Sequence, residues 1–162
     1  MDLKQFLELF NPYPGNNYLQ VTTEIDETTQ ALYELMEGVD GILNLVLYKE
    51  QENLSSLFPN ANIQYVENFK QPFRALPRTN DIVVFKDIFH LHENQKGILK
   101  IAYTTLANAA EIIIMQKKGT MDIEATLNLL EEFEFRSQNY IDVLPEYDLV
   151  MAKKLHMWGN GL

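Results

Sequence analysis

The residues best suited to chemistry cluster in the middle of the chain, where Asp87, His90, His92 and Glu93 follow the run Asn80-Asp81-Ile82-Val83-Val84-Phe85-Lys86. The apolar run predicts a strand, and open α/β sheets take ligands at the carboxyl ends of their strands. Asp87 stands at such an end, where it can face a ligand or cap a following helix. An unperturbed imidazole titrates near neutral pH, which suits His90 to proton transfer as a general base. His90 and His92 at i and i+2 can share a metal from an extended segment, with Asp87 as a third ligand, but from a helix they point to different sides. The third histidine is His156 and there are no cysteines, so no metal is expected and surface or partly buried imidazoles are. The serines are Ser55, Ser56 and Ser137, none in a G-x-S-x-G elbow, and neither G-x-x-x-x-G-K-[ST] nor G-x-G-x-x-G occurs.

These residues need elements to position them. Short apolar runs alternate with helical patterns, the mark of βα units and a mostly parallel sheet with helices on both faces. Strands are expected over Tyr18–Thr22, Gly41–Tyr48, Ile63–Val66, Asp81–Lys86 and Glu111–Gln116. Helices are expected over Asp2–Phe10, Glu24–Glu37, Asn94–Ala110 and Asp122–Phe133, with a short helical piece over Gln51–Leu57. Near the end, Phe135–Val143 and Tyr147–His156 are joined by Leu144-Pro145-Glu146, too short for a parallel crossover, so an antiparallel hairpin is expected. The domain organisation is then a single α/β domain over 1–162, with a helix and turn over 1–15 and a core over 16–158. Trp158 beside glycines can pin the last strand or join a self-association surface.

That order resembles the class I S-adenosylmethionine-dependent methyltransferases, a doubly wound Rossmann-like fold finished by an antiparallel hairpin. The most specific local similarity is Asp81-Ile82-Val83-Val84 through Ile88-Phe89-His90-Leu91-His92, which looks like that family's fourth strand and following turn. Ala110-Glu111-Ile112-Ile113-Ile114-Met115 looks like its fifth strand. The resemblance implies S-adenosylmethionine as cofactor, with Thr22 and Thr23 in the turn after the first strand. It also implies Glu50 on the ribose hydroxyls, Asn68 and Phe69 on the adenine, and Asp87 at the cleft. Glu50 can equally cap the next helical turn, and an Asn-Phe pair is ordinary at a strand end. One departure stands out: the family's glycine-rich turn corresponds here to Gln20-Val21-Thr22-Thr23-Glu24-Ile25-Asp26-Glu27, with no glycine and three carboxylates. Side chains there fill space that the missing Cβ of glycine leaves open, and they add negative charge.

A formal net charge of −10 sets most of the surface against a phosphate backbone, so nucleic acid is not an expected partner. The one basic stretch, Phe69 to Arg78, reads as a solvated loop over apolar anchors. No apolar run is long enough to span a bilayer and no signal-peptide pattern opens the chain, so no membrane and a cytoplasmic location are expected. The expected function is a methyltransferase-fold protein with a degenerate cofactor site, non-catalytic or strongly altered, binding a small ligand or a protein. The alternative is a small divergent methyltransferase of unknown acceptor. With little chain left over to cap a substrate, a homodimer or another protein partner is the expected way to complete a site.

Overall fold

The computed structural model describes residues 1–155, so the expectations for His156 and Trp158 lie outside the described residues. The elements run α1 (Lys4–Leu7), β1 (Asn17–Thr22), α2 (Glu27–Glu37), β2 (Ile42–Leu47), α3 (Leu54–Leu57), β3 (Asn62–Tyr65), β4 (Asn80–Lys86), α4 (Gln95–Thr105), β5 (Leu106–Lys117), α5 (Ile123–Glu132), β6 (Arg136–Tyr140) and β7 (Tyr147–Lys153). The strands make one seven-stranded sheet in the order β3-β2-β1-β4-β5-β7-β6. β1 to β5 pair in parallel, and β7 runs antiparallel to both β5 and β6. The chain winds outward from β1 to β3, then returns to lay β4 beside β1. That reversal is a topological switch point, where the connecting loops diverge and leave a crevice.

Alternation along the strands feeds two apolar layers, as a sheet covered on both faces requires. Leu43, Leu45 and Leu47 of β2, Val84 of β4 and Ile113 and Met115 of β5 meet Phe6, Phe10, Leu32, Met36 and Phe58 on one face. Leu19, Val21, Val83, Phe85, Ile112, Ile114 and Val150 meet Ile98, Leu99, Ala102 and Leu130 on the other. α1 to α3 therefore cover one side and α4 and α5 the other. No helix among the described residues is long and apolar enough to cross a membrane.

Three elements differ from the sequence expectation. The N-terminal helix is regular only over Lys4–Leu7. Leu9 and Phe10 continue it with tighter bonds to Phe6 and Leu7 carbonyls, at 3.1 and 3.2 Å, which still bury Phe10. The helix expected over Asn94–Ala110 stops at Thr105, and β5 begins at Leu106 opposite Asn80. The Thr105 hydroxyl donates to the Leu76 carbonyl at 2.6 Å and its own carbonyl accepts from the Thr79 N–H at 2.8 Å, which ties the helix end to the approach of β4. The last hairpin is interrupted in β6, where Ser137 takes φ 56° and the pairing with β7 shifts between Arg136 and Asn139.

Gly41 is a point where the fold needs a missing side chain. A Cβ there would lie 2.3 Å from the Asn16 carbonyl oxygen and 2.9 Å from Met36 Sδ. The backbone oxygen is fixed, because it accepts the Ile42 N–H that starts β2. Gly41→Ala is expected to cost about 1–3 kcal/mol by overpacking, seen as a lower urea midpoint with an unchanged slope. An unchanged midpoint would mean that the β1–β2 approach is looser than this contact requires.

Candidate functional site

The switch point is built around three side chains. β1 ends at Thr22, and the following loop delivers Asp26 as the N-cap of α2. Asp26 Oδ1 accepts from the Thr28 and Thr29 amides at 2.9 and 3.4 Å, and the Thr29 hydroxyl donates back to Gln20 Oε1 at 2.6 Å. Gln20, Thr28 and Thr29 are fully buried, so the loop is locked to the strand by a polar cluster inside the sheet face. β4 ends at Lys86, whose Nζ lies 2.7 Å from Asp26 Oδ2 and 2.9 Å from Asp87 Oδ2. The Lys86 side chain is 7% exposed, and a buried charge persists when it is paired and hydrogen-bonded.

Asp87 is fixed on all sides. It takes φ 53°, in the left-handed region that Asp tolerates better than most residues. Its N–H donates to the Met115 carbonyl and its Oδ1 accepts from the Lys117 N–H, both at 2.9 Å. Its Oδ2 also accepts from the Tyr147 hydroxyl at 3.2 Å. The Lys86 ammonium sits 5.3 Å from the Tyr147 ring centre. Burial pushes the Tyr147 hydroxyl pKa up, Lys86 opposes this, and Asp87 and Asp26 add to it. For Lys86, burial disfavours the charge, yet the hydrogen bonds and charges of Asp26 and Asp87 outweigh it and raise the pKa.

Over these residues lies a cleft of about 350 Å³, walled by Thr23, Glu24, Asp26, Asp87, His90 and Leu91 and reaching Lys117, Thr120 and Tyr147. Of the sequence-derived candidates, Thr23, Asp87 and His90 stand on its wall. Thr22 is buried beneath and its hydroxyl donates to the Glu24 carbonyl at 3.2 Å. Glu50 and Asn68 are exposed, away from the cleft wall. Glu50 does not cap α3, whose N-cap is Asn53, and Asn68 Oδ1 instead closes a turn by accepting from the Lys70 N–H at 2.9 Å. Asp87 is not a helix cap either; Asn94 caps α4 by accepting from the Gly97 N–H at 3.0 Å.

Phe69 belongs to a different cluster. It stacks on Tyr48 at 5.4 Å with an 11° interplanar angle, and His92 packs edge-on against the same ring at 5.5 Å. The Asn94 N–H donates to His92 Nδ1 at 2.9 Å, so Nε2 carries the proton and donates to the Gln71 carbonyl at 3.0 Å. The Tyr48 hydroxyl donates to that carbonyl at 2.8 Å, and burial pushes its pKa up. His90 and His92 therefore diverge, one to the cleft and one into the core. No group of three or more His, Asp or Glu side chains poised around a metal occurs among the described residues.

Sequence reasoning named Asp26 only as one carboxylate of the acidic turn and passed over Lys86 and Tyr147. The available signal was Lys86 itself, a cation closing the apolar run Ile82–Phe85. Such a charge needs an anionic partner, and the acidic loop after β1 supplies one.

No protein-family model and no curated protein sequence matches the chain. Among solved structures, it is similar to an S-adenosylmethionine-dependent methyltransferase from Aquifex aeolicus at 17% identity and TM-score 0.79, over 95% of this chain and 90% of that one. A methyltransferase from Mesorhizobium loti gives TM-score 0.71 at 9% identity, over 90% and 94%. Phosphoethanolamine N-methyltransferase 2 from Haemonchus contortus, in complex with S-adenosylmethionine, gives TM-score 0.74 at 9% identity, over 94% of this chain and 52% of that one. The chain thus spans about half the length of that enzyme, and of the CurJ and DszA carbon methyltransferases it also resembles. Strand order, hairpin and these superpositions agree: the chain has the fold of the class I S-adenosylmethionine-dependent methyltransferases.

Proposed function

We propose that this chain is a methyltransferase-fold domain with an altered ligand site, one that holds a small polar ligand in the Asp26–Lys86–Asp87 cleft and transfers no methyl group. The observation that carries this reading is the Lys86 ammonium locked between two carboxylates at the switch point. S-adenosylmethionine brings its own ammonium and carboxylate to such an edge. Here the leading amides of α2 already bind Asp26, and both aspartates are already bound to Lys86. Past the end of β2, Tyr48, Phe69 and His92 close on one another, so the open volume lies beside β4 and β7. These residues do not fit the cofactor in the way the resemblance implies. What remains is a cleft with hydroxyl, carboxylate, amine and imidazole groups on its wall, suited to a compact polar molecule.

The test is titration calorimetry with S-adenosylmethionine and S-adenosylhomocysteine. No binding heat up to millimolar ligand is the expected result. Micromolar binding that Asp87→Asn abolishes would overturn it and establish the second reading, a small divergent methyltransferase. That reading draws on the near-complete overlap with the Aquifex enzyme and on Thr23, Asp87 and His90 standing at the carboxyl edge.

A further inference from the structure

Among the described residues, the β3–β4 connection, 66–79, is the one parallel crossover that passes through no helix; α2, α3 and α4 serve the other three. On the face that α4 and α5 cover, the outer end of the sheet is roofed instead by an irregular strap. Phe73 anchors the strap in the core, and the Thr105 hydroxyl holds its far end through the Leu76 carbonyl. Between them the Gln64 amide grips the Arg74 backbone in both directions, donating to its carbonyl at 2.9 Å and accepting from its N–H at 2.8 Å. Under the strap lies an opening of about 250 Å³.

Leu19 and Val46 form its floor, and Ala75 and the exposed Leu76 join them from the strap. The polar part of the wall is a ladder of amides. Asn62 Nδ2 donates to Asn44 Oδ1 at 3.0 Å, Asn44 Nδ2 to Asn80 Oδ1 at 2.9 Å, and Asn80 Nδ2 to Thr105 Oγ1 at 2.9 Å. The ladder pairs these groups with one another and carries no charge. No Asp or Glu stands on the wall, although the chain has 23 of them. The one charged residue there is Arg74, exposed and without an ion-pair partner among the described residues. In a chain of net charge −10, a wall free of carboxylates beside an unpaired guanidinium selects an anion. The apolar floor selects one that carries a hydrocarbon part, because burying apolar surface is what such a floor rewards.

We infer that this pocket binds a medium-chain aliphatic carboxylate, its alkyl chain on Leu19 and Val46 beneath the strap and its carboxylate on the Arg74 guanidinium. The inference is independent of the cleft at the carboxyl edge. A guanidinium fork takes a carboxylate through two parallel N–H bonds, and a single cation matches a monoanion. The Gln64 grip on the Arg74 backbone fixes the base of that long side chain, so less freedom is lost when the ligand binds.

The experiment titrates the full chain with sodium octanoate, 1-octanol and octylammonium chloride at submicellar concentration and constant ionic strength, followed by calorimetry and by the Leu and Val methyl signals in NMR. Saturable octanoate binding is expected, at least about tenfold tighter than for octanol or octylammonium, with the Leu19, Val46 and Leu76 signals moving first. Arg74→Gln keeps the backbone bonds to Gln64 and is expected to weaken octanoate binding about tenfold. Lys4→Gln, an equal charge change on α1 and the opposite face, is expected to leave it unchanged. Equal binding of octanol, absence of saturation, full octanoate affinity in Arg74→Gln, or first signal changes at the Asp87 cleft would each overturn the inference. Movement of the same methyl signals on dilution of the ligand-free chain would assign this face to a second copy and overturn it too. The ligand comparison needs no variant, so it decides the matter even if a substitution unfolds the chain.

Discussion

Lys86→Met is expected to lower the unfolding free energy by about 2–4 kcal/mol, because it leaves two partly buried carboxylates, 25% and 16% exposed, close together without their cation. For a chain of this length that is a drop in melting temperature of roughly 10 °C. Asp26 and Asp87 converge on one ammonium that is 7% exposed. Methionine fills most of the volume, so the loss reports charge rather than a cavity. Adding Asp26→Asn and Asp87→Asn to Lys86→Met should recover a large part of it. A single-variant loss under about 1 kcal/mol would place the pair in the class of screened surface bridges. The pH dependence has a definite sign. The folded-state pKa of Lys86 is raised above the ordinary value of 10.5. Its contribution is therefore fully present below about 10.5 and is lost as pH climbs through the higher folded value. The stability difference between the unaltered chain and Lys86→Met should be flat from neutral pH to about pH 9 and shrink only in strong base.

Phe85→Ala is the second large effect, at about 3–5 kcal/mol for an aromatic deleted from a packed core. Phe85 is fully buried, edge-on to Phe73 at 6.0 Å and stacked with Phe89 at 6.2 Å. Phe73 comes from the connection between β3 and β4, and Phe89 from the turn after Asp87. One ring thus fastens both loops to the sheet. Urea unfolding should show the global loss, while hydrogen exchange should speed first over residues 68–79 and 88–92. Uniform acceleration across the whole sheet would mean that the loops are held by something else. Phe85→Leu should cost about a third as much, since it keeps most of the apolar volume.

The fold was legible because its strands carry their own signal. Asp81–Lys86 and Glu111–Gln116 are apolar on both faces, and only a covered parallel sheet buries such runs. The end of α4 was not legible, because Leu106 and Ala110 fit a helical stripe as well as a strand. Pairing with β4 and the Thr105 contacts to Leu76 and Thr79 decide for the strand. At the site, the sequence marked the acidic turn and Asp87 but gave no partner for the charge. Sixty positions separate Asp26 from Lys86, and only the return of β4 beside β1 brings them within 2.7 Å. Phe69 was read as a ligand contact and His92 as a surface or partly buried imidazole, and their pairing through Tyr48 depends on three separate loops. Periodicity reports on faces of elements; it carries no information about which loops meet.

The position of β7 has a consequence for synthesis. β7 lies between β5 and β6, and its last residue, Lys153, is made 36 residues after Lys117 closes β5. At typical translation rates of about 5–20 residues per second, that interval is roughly 2–7 s. Throughout it, Ile112-Ile113-Ile114-Met115 presents an unpaired strand edge rich in β-formers, the kind of template on which neighbouring chains pair. The yield of soluble product should therefore depend on how fast the ribosome moves through α5 and β6, a timing constraint written into the strand order rather than into any single residue.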